Sequence, residues 1–286
     1  MTDTVKILIQ TTIPFIENDW HAGRFSLLGR HLESLDLEVT FRDREPGRDG
    51  NDPFLAAIDD TGFDEVWLMA ADNGNGLTEA ECEALNRFRL KGGGILTTRD
   101  HQDLGSSICS IHGIGRANFF HSTNPEPDET RRIRDDRDTA MIDFPNYHSG
   151  RNGDFQEITV RVPDHPLIRR SNGTTIEYFP AHPHEGAIGV PSDDASACVI
   201  ACGVSKISGA SFDLIVAFER DMRIAGRAVA HSSFHHFADY NWDPSRGCPD
   251  FVSEAPGDGF AVDPDKLNDI KTYAGNLALW LAPQGK

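Results

Sequence analysis

The sequence predicts an α/β fold in which a mostly parallel sheet is covered by helices on both faces. Three observations carry this expectation. Short apolar runs rich in β-formers alternate with segments of helical spacing through the first hundred residues, in the order β-α-β-α-β-α-β. A capping-box pattern at Thr78 and a glycine triplet at Gly92 to Gly94 delimit one of those helices. The chain has 286 residues, 38% of them apolar, which is enough to bury a sizeable core.

The elements follow in order. Residues 5–11 (VKILIQT) read as a buried strand. Residues 22–34 carry Phe25, Leu28 and Leu32 at helical spacing, and residues 37–41 alternate like a second strand. A short helix is expected at 54–58 and a third strand at 63–70. The helix opened by Thr78 runs to about Leu90, and residues 95–98 form a fourth strand. The stretch 121–155 departs from this rhythm. It is polar from Asn124 to Asp138 and turn-rich from Pro145 to Asp154, so a lid-like insertion is expected there. Strands resume at 157–162, 198–203, 214–219 and 226–231, with antiparallel pairs among them. A closing helix at 263–281 places Leu267, Ile270, Ala274, Leu277 and Leu281 on one side. With no repeat and no dividing linker, a single domain over 1–286 is expected.

Charge narrows the partners. Twenty-seven basic and 45 acidic residues leave a net charge of −18, a field that repels phosphate backbones and anionic lipid. Neither nucleic acid nor a membrane is expected as partner; a homo-oligomer remains open. No apolar run reaches the ~18 residues of a membrane span, and no basic-then-apolar leader is visible, so a cytoplasmic location is expected. The five cysteines are odd in number and form no C-x-x-C pair, which suits reduced thiols. Phosphate-binding and nucleophile-elbow glycine motifs are absent, and no nucleotide cofactor is expected.

Chemistry is sought where open α/β sheets bind ligands, beyond the carboxyl ends of the strands. Seven of the twelve histidines fall there or in one further loop: His21, His101, His182, His184, His231, His235 and His236. Imidazole titrates near neutrality and suits general acid–base work or metal binding. His101 is the expected acid or base, with Asp103 or Asp100 as its orienter and a helix start beneath to favour negative charge. Of His235 and His236, at most one can face the site, and His235 is the choice. His182-x-His184 places two imidazoles on one side of an extended segment with Glu185 opposite, a candidate set for zinc, iron or manganese. Trp20, His21, Arg99, Asp100 and Trp242 are the expected substrate contacts. Cys109 lies past the strand turn and is expected to be a structural thiol, not a nucleophile.

Several of these pieces together resemble the ThuA-like (trehalose-utilisation) branch of the class I glutamine amidotransferase-like proteins. They are Leu77 to Glu81 opening a helix, Phe88 to Ile95, His101 after its strand, His165 to Ile168, Tyr178 to Glu185, Gly226 to Val229 leading to His231 and His235, and Trp280 in the last helix. The resemblance covers most of the chain. It implies a three-layer, flavodoxin-like sheet with a site at the strand ends lined by His21, His101 and His235. It also implies loss of the amidotransferase cysteine, since the turn here holds Arg99, Asp100 and His101. The insertion and the His182 to Glu185 stretch depart from the family pattern. The expected function is an enzyme acting on a carbohydrate or related polyhydroxy compound by His/carboxylate chemistry, as hydrolysis or isomerisation, with or without a metal. The alternatives are a non-catalytic sugar- or metal-binding module, or a degenerate amidotransferase-like partner subunit.

Overall fold

The structure, a computed structural model, describes residues 4–136, 139, 141–220 and 224–286. Met1 to Asp3, part of the N-terminus judged above, lie outside the described residues, as do Arg137, Asp138 and Ala140 of the expected insertion. The chain forms β1 (Lys6–Thr11), α1 (Ser26–Glu33), β2 (Glu38–Arg42), β3 (Glu65–Met69), α2 (Glu79–Leu90), β4 (Gly94–Thr98), β5 (Asn118–Phe119), β6 (Phe155–Glu157), β7 (Thr159–Val160), β8 (Tyr178–Pro180), β9 (Ala187–Ile188), β10 (Ala197–Val204), β11 (Ser211–Phe218) and β12 (Ala228–His231). The short turns α3 (Asp239–Trp242) and α4 (Gly259–Val262) and the long helix α5 (Leu267–Leu281) complete it.

Eight strands make one sheet in the order β2-β1-β3-β4-β12-β11-β10-β7. It is parallel from β2 through β12 and antiparallel from β12 to β7. Alternation along the strands sends side chains to opposite faces. On one face Ile7, Ile9, Trp67, Met69 and Leu96 join Phe25 and Leu28 of α1 and Ile270, Tyr273 and Leu277 of α5. On the other, Leu8, Val66, Leu68 and Ile95 join Leu85 and Phe88 of α2. The result is the three-layer α/β architecture that the alternation predicts. The Thr78 capping box closes in both directions, with Thr78 accepting from Glu81 N and Glu81 accepting from Thr78 N. No helix among the described residues is long and apolar enough to cross a membrane.

Three local expectations change. Residues 22–25 form a separate tight turn before α1. The run 157–162 is split, because β6 pairs with β8 in a small separate sheet while β7 joins β10. Among the described residues, no α-helix directly follows β4. Gln102 (φ 47°) and Gly105 (φ 91°) reverse the backbone, and the short 3-10 turns Ser106–Ser110 and Ile114–Ala117 lead to β5. There is accordingly no helix start beneath Asp100 to favour an anion.

Gly105 makes that reversal possible. A Cβ there would lie 2.9 Å from Ala70 O and 3.3 Å from Arg99 Cα, in a left-handed conformation that L side chains rarely adopt. We therefore expect Gly105→Ala to destabilise the fold by about 1–3 kcal/mol in urea unfolding.

Candidate functional site

The parallel strands β1, β3, β4 and β12 end on one edge of the sheet, and a cavity of about 480 Å³ opens there. Its floor is built around Asp100, which β4 delivers two residues past its last strand residue. Three imidazoles surround this buried carboxylate. His101 Nδ1 lies 3.1 Å from Oδ2, His182 Nε2 lies 3.2 Å from Oδ1, and His235 Nε2 lies 3.6 Å from Oδ2.

Each histidine arrives for a local reason. Beyond β12, the Ser233 hydroxyl accepts from His235 N and caps the turn Phe234–Phe237, so His235 faces the cavity and His236 faces the core. His182 and His184 alternate along an extended segment with Glu185 on its other side. That segment pairs with the 147–149 stretch: Tyr147 and Glu185 exchange two backbone hydrogen bonds, and Ser149 N donates to His182 O. It also comes unusually close to β4. A Cβ at Gly186 would lie 2.4 Å from Arg99 Nε and 2.7 Å from Asp100 O, so only glycine fits.

Arg99 sits fully buried beneath the floor. Its guanidinium donates to the carbonyls of Asp100, Gln102 and Ala187 and lies 3.9 Å from the Phe120 ring centre. Burial pulls its pKa down to about 9, which leaves it a cation at neutral pH. It cannot touch a ligand, contrary to the expectation that it would; it anchors the turn and the 182–187 segment instead.

Electrostatics fix the proton positions. Burial opposes charge on Asp100, but the neighbouring His101 and His235 and the hydrogen bond from His101 hold its carboxyl well below the usual range. Burial and the neighbouring His235 push His182 well below the ordinary imidazole value. Asn152 Oδ1, which already accepts from Asn241 Nδ2, lies 2.7 Å from His182 Nδ1 and sets the Nδ1–H tautomer. Asn241 Oδ1 faces His235 Nδ1 at 3.4 Å. Both Nε2 atoms therefore turn towards Asp100.

Asp100, His182 and His235 present one ligand atom each within 4.8 Å of one another. One carboxylate and two imidazoles, with their remote nitrogens facing amides, suit zinc, iron or manganese. The rings of His182 and His235 stack at 3.6 Å and 14°, so their lone pairs run side by side. Binding one ion at ~2.0–2.2 Å from both requires the rings to splay.

The other expected residues divide clearly. Trp20, His101, His182, His184 and His235 line the cavity with Asp100. His101 is oriented by Asp100, whereas Asp103 is turned away and accepts from Ser122 N. The His21 ring lies outside the lining, accepting from Gly23 N beside Phe15. Trp242 is buried and donates its indole N–H to His236 O. Glu185 is not brought to the metal group. It lies fully buried on the core side, accepting from Ser149, Gln156 and Ser232, with His236 Nε2 2.9 Å from Oε1. His236 Nδ1 in turn meets His231 Nε2 at 2.8 Å, and His231 Nδ1 meets the Tyr273 hydroxyl at 3.3 Å. With Glu185 as the carboxylate, this chain donates in one direction, from Tyr273 to Glu185. Cys109 is far from nucleophilic, since burial lifts its thiol to about 11.

Asn152, Asn241 and Glu254 were not singled out in the sequence. No motif marks the asparagines. Glu254 lies beyond the last strand end considered, on a loop that returns to the cavity, where its Oε1 is 3.0 Å from His184 Nε2. His184 Nδ1 lies 3.2 Å from Asp136 Oδ2 but has no hydrogen-bond partner among the described residues.

Two predictions follow from these contacts. Glu185→Ala strands several buried donors and should cost on the order of 3 kcal/mol in urea unfolding. The His184–Glu254 pair makes stability pH-dependent. Burial opposes charge on His184, but the Glu254 hydrogen bond and the carboxylates of Asp100, Glu254 and Asp136 raise its pKa, while the same hydrogen bond lowers that of Glu254. The His184 contribution is full below its ordinary 6.5 and is lost as pH rises through its raised folded value. The Glu254 contribution is full above its ordinary 4.5 and is lost as pH falls through its lowered folded value. The stability gap between the parent chain and Glu254→Gln should be widest between these two ordinary values and narrow above neutrality.

No protein-family model and no curated protein matches the sequence. Solved structures do. A protein described as ThuA-like from Parabacteroides merdae superposes with a TM-score of 0.56 at 13% identity, over 99% of this chain and 93% of that one. The glutaminase domain of Trypanosoma brucei CTPS, solved with bound acivicin, superposes with a TM-score of 0.51 at 15% identity, over 99% of this chain and 97% of that domain. This chain therefore shares its α/β fold with a protein described as ThuA-like and with a glutaminase domain.

Proposed function

We propose that the cavity is the active site of an enzyme that acts on a small, neutral polyhydroxy compound, a carbohydrate or close relative, by proton transfer. The observation that carries this reading is the ionised, buried Asp100 surrounded by three imidazoles on the cavity floor. Asp100 holds His101 by Nδ1, which leaves Nε2, without a partner among the described residues, to take a proton from substrate. His184 also lines the cavity, 5.1 Å from His101 between ring centres, and is biased towards its protonated form. That pairing suits hydrolysis or an isomerisation that moves a proton between two carbons or oxygens. Among the described residues no lysine or arginine lines the cavity, while Asp19, Asp100 and Glu254 do, so a neutral substrate fits better than an anionic one. Trp20 in the lining supplies apolar surface for a sugar's apolar face.

A second reading adds a divalent metal at Asp100, His182 and His235, favoured by the tautomers that turn both Nε2 atoms to the carboxylate. Such an ion would polarise a substrate hydroxyl or carbonyl.

Incubating the purified chain with a panel of sugars and sugar derivatives, followed by NMR, tests the main reading. We expect turnover of at least one compound and a loss of about 100-fold in His101→Ala that stays folded. Stoichiometric binding without turnover would make the chain a sugar-binding module instead. Elemental analysis tests the second reading: close to one zinc, iron or manganese per chain, lost in Asp100→Asn, supports it, and a metal-free active protein overturns it.

A further inference from the structure

The cavity is chemically divided. Its polar groups, from Asp100 to the His184–Glu254 pair, are bonded to one another on the floor. Much of the remaining lining is apolar: Trp20, Leu104, Ile142, Phe251 and Val252. That apolar surface continues outwards. Phe251 lines the cavity yet is 59% exposed. Two further segments that reach the cavity repeat the pattern. Met141, 85% exposed, stands between the lining residues Thr139 and Ile142. Phe15 and Ile16, 62% and 50% exposed, precede the lining residues Asp19 and Trp20. Exposed apolar side chains on segments that line one cavity point to a surface that something covers.

Resting on the reading of this cavity as a site for a neutral polyhydroxy compound, we propose that its ligand is amphiphilic: a polyhydroxy head carrying an aryl or alkyl group. The head meets Asp100 and the histidines. The apolar group lies along Trp20, Leu104, Ile142 and Val252 and reaches the rim at Phe251. Continuity of the apolar wall with the polar floor argues for one ligand spanning both. The absence of lysine and arginine from the lining, among the described residues, argues for a neutral head. The −18 charge argues against an anionic lipid surface as the occupant of the rim.

The test is calorimetry on the full chain with glucose, galactose and mannose, each as the free sugar and as its octyl and phenyl glycoside below micellar concentrations. At least one glycoside should bind about tenfold more tightly than its parent sugar, the gain expected for burying one large apolar group. Phe251→Ser should shrink that advantage by about threefold or more, and Asp100→Asn should weaken both partners of the pair. A sugar bound equally well with and without its apolar group overturns the inference and leaves the active-site reading standing. A dimer that Phe251→Ser dissociates, without preference for glycosides, also overturns it, because a second copy then covers the rim. Binding of neither sugars nor glycosides overturns both.

Discussion

A carboxylate withdrawn from water costs several kcal/mol unless nearby charges and donors replace its hydration. Asp100 is withdrawn almost completely, and the local structure is arranged to offset that cost. His101, His182 and His235 contact its oxygens from the cavity side. The Arg99 cation lies beneath, fixed by three carbonyls and the Phe120 face. Gly186 lets the 182–187 segment approach β4 closely enough to deliver His182, and Asn152 with Asn241 hold the remote imidazole nitrogens. Removing the negative charge would leave the stacked imidazoles without the group that their Nε2 atoms face.

Glu185 is the counterpart of Asp100 on the other side of the same segment. Alternation along 182–185 sends two histidines into the cavity and the glutamate into the core. There the hydroxyls of Ser149 and Ser232, the Gln156 amide and the His236–His231–Tyr273 chain complete its hydrogen bonding. Ser149 also accepts from His182 N, which ties this core network to the cavity floor. One carboxylate organises the chemistry and the other fixes the segment that presents it. Placing Glu185 at a metal would demand turning the segment over and burying His184 in its place.

Much of the fold was readable because periodicity speaks directly to burial. The runs at 5–11, 63–70 and 95–98 are apolar on both faces, which is what central parallel strands require. The short pairings β5–β9 and β6–β8 involve two or three residues each and carry no period to detect. The site was readable to the extent that topology alone gathers it: His101 and His235 follow adjacent parallel strands, and the spacing of His182 and His184 put them on one side. Choosing between Asp100 and Asp103 required the backbone reversal at Gln102 and Gly105, which composition does not announce. Trp242 and His21 stand beside site residues in sequence, but an indole bonded to His236 O and a ring turned to Gly23 N take them elsewhere. Asn152 and Glu254 meet their histidines 30 and 70 positions away, and Asn241 meets Asn152 89 positions away, beyond any local signal.

The ionisation of Asp100 is where these threads meet, and it can be measured directly. A carbonyl-detected ¹³C NMR titration, with Asp100 assigned by comparison with Asp100→Asn, should show its carboxylate persisting to a pH well below the ordinary value of 3.8. A carboxyl that takes up its proton at or above that value would mean that the surrounding histidines do not hold the charge, and the site as described would not stand.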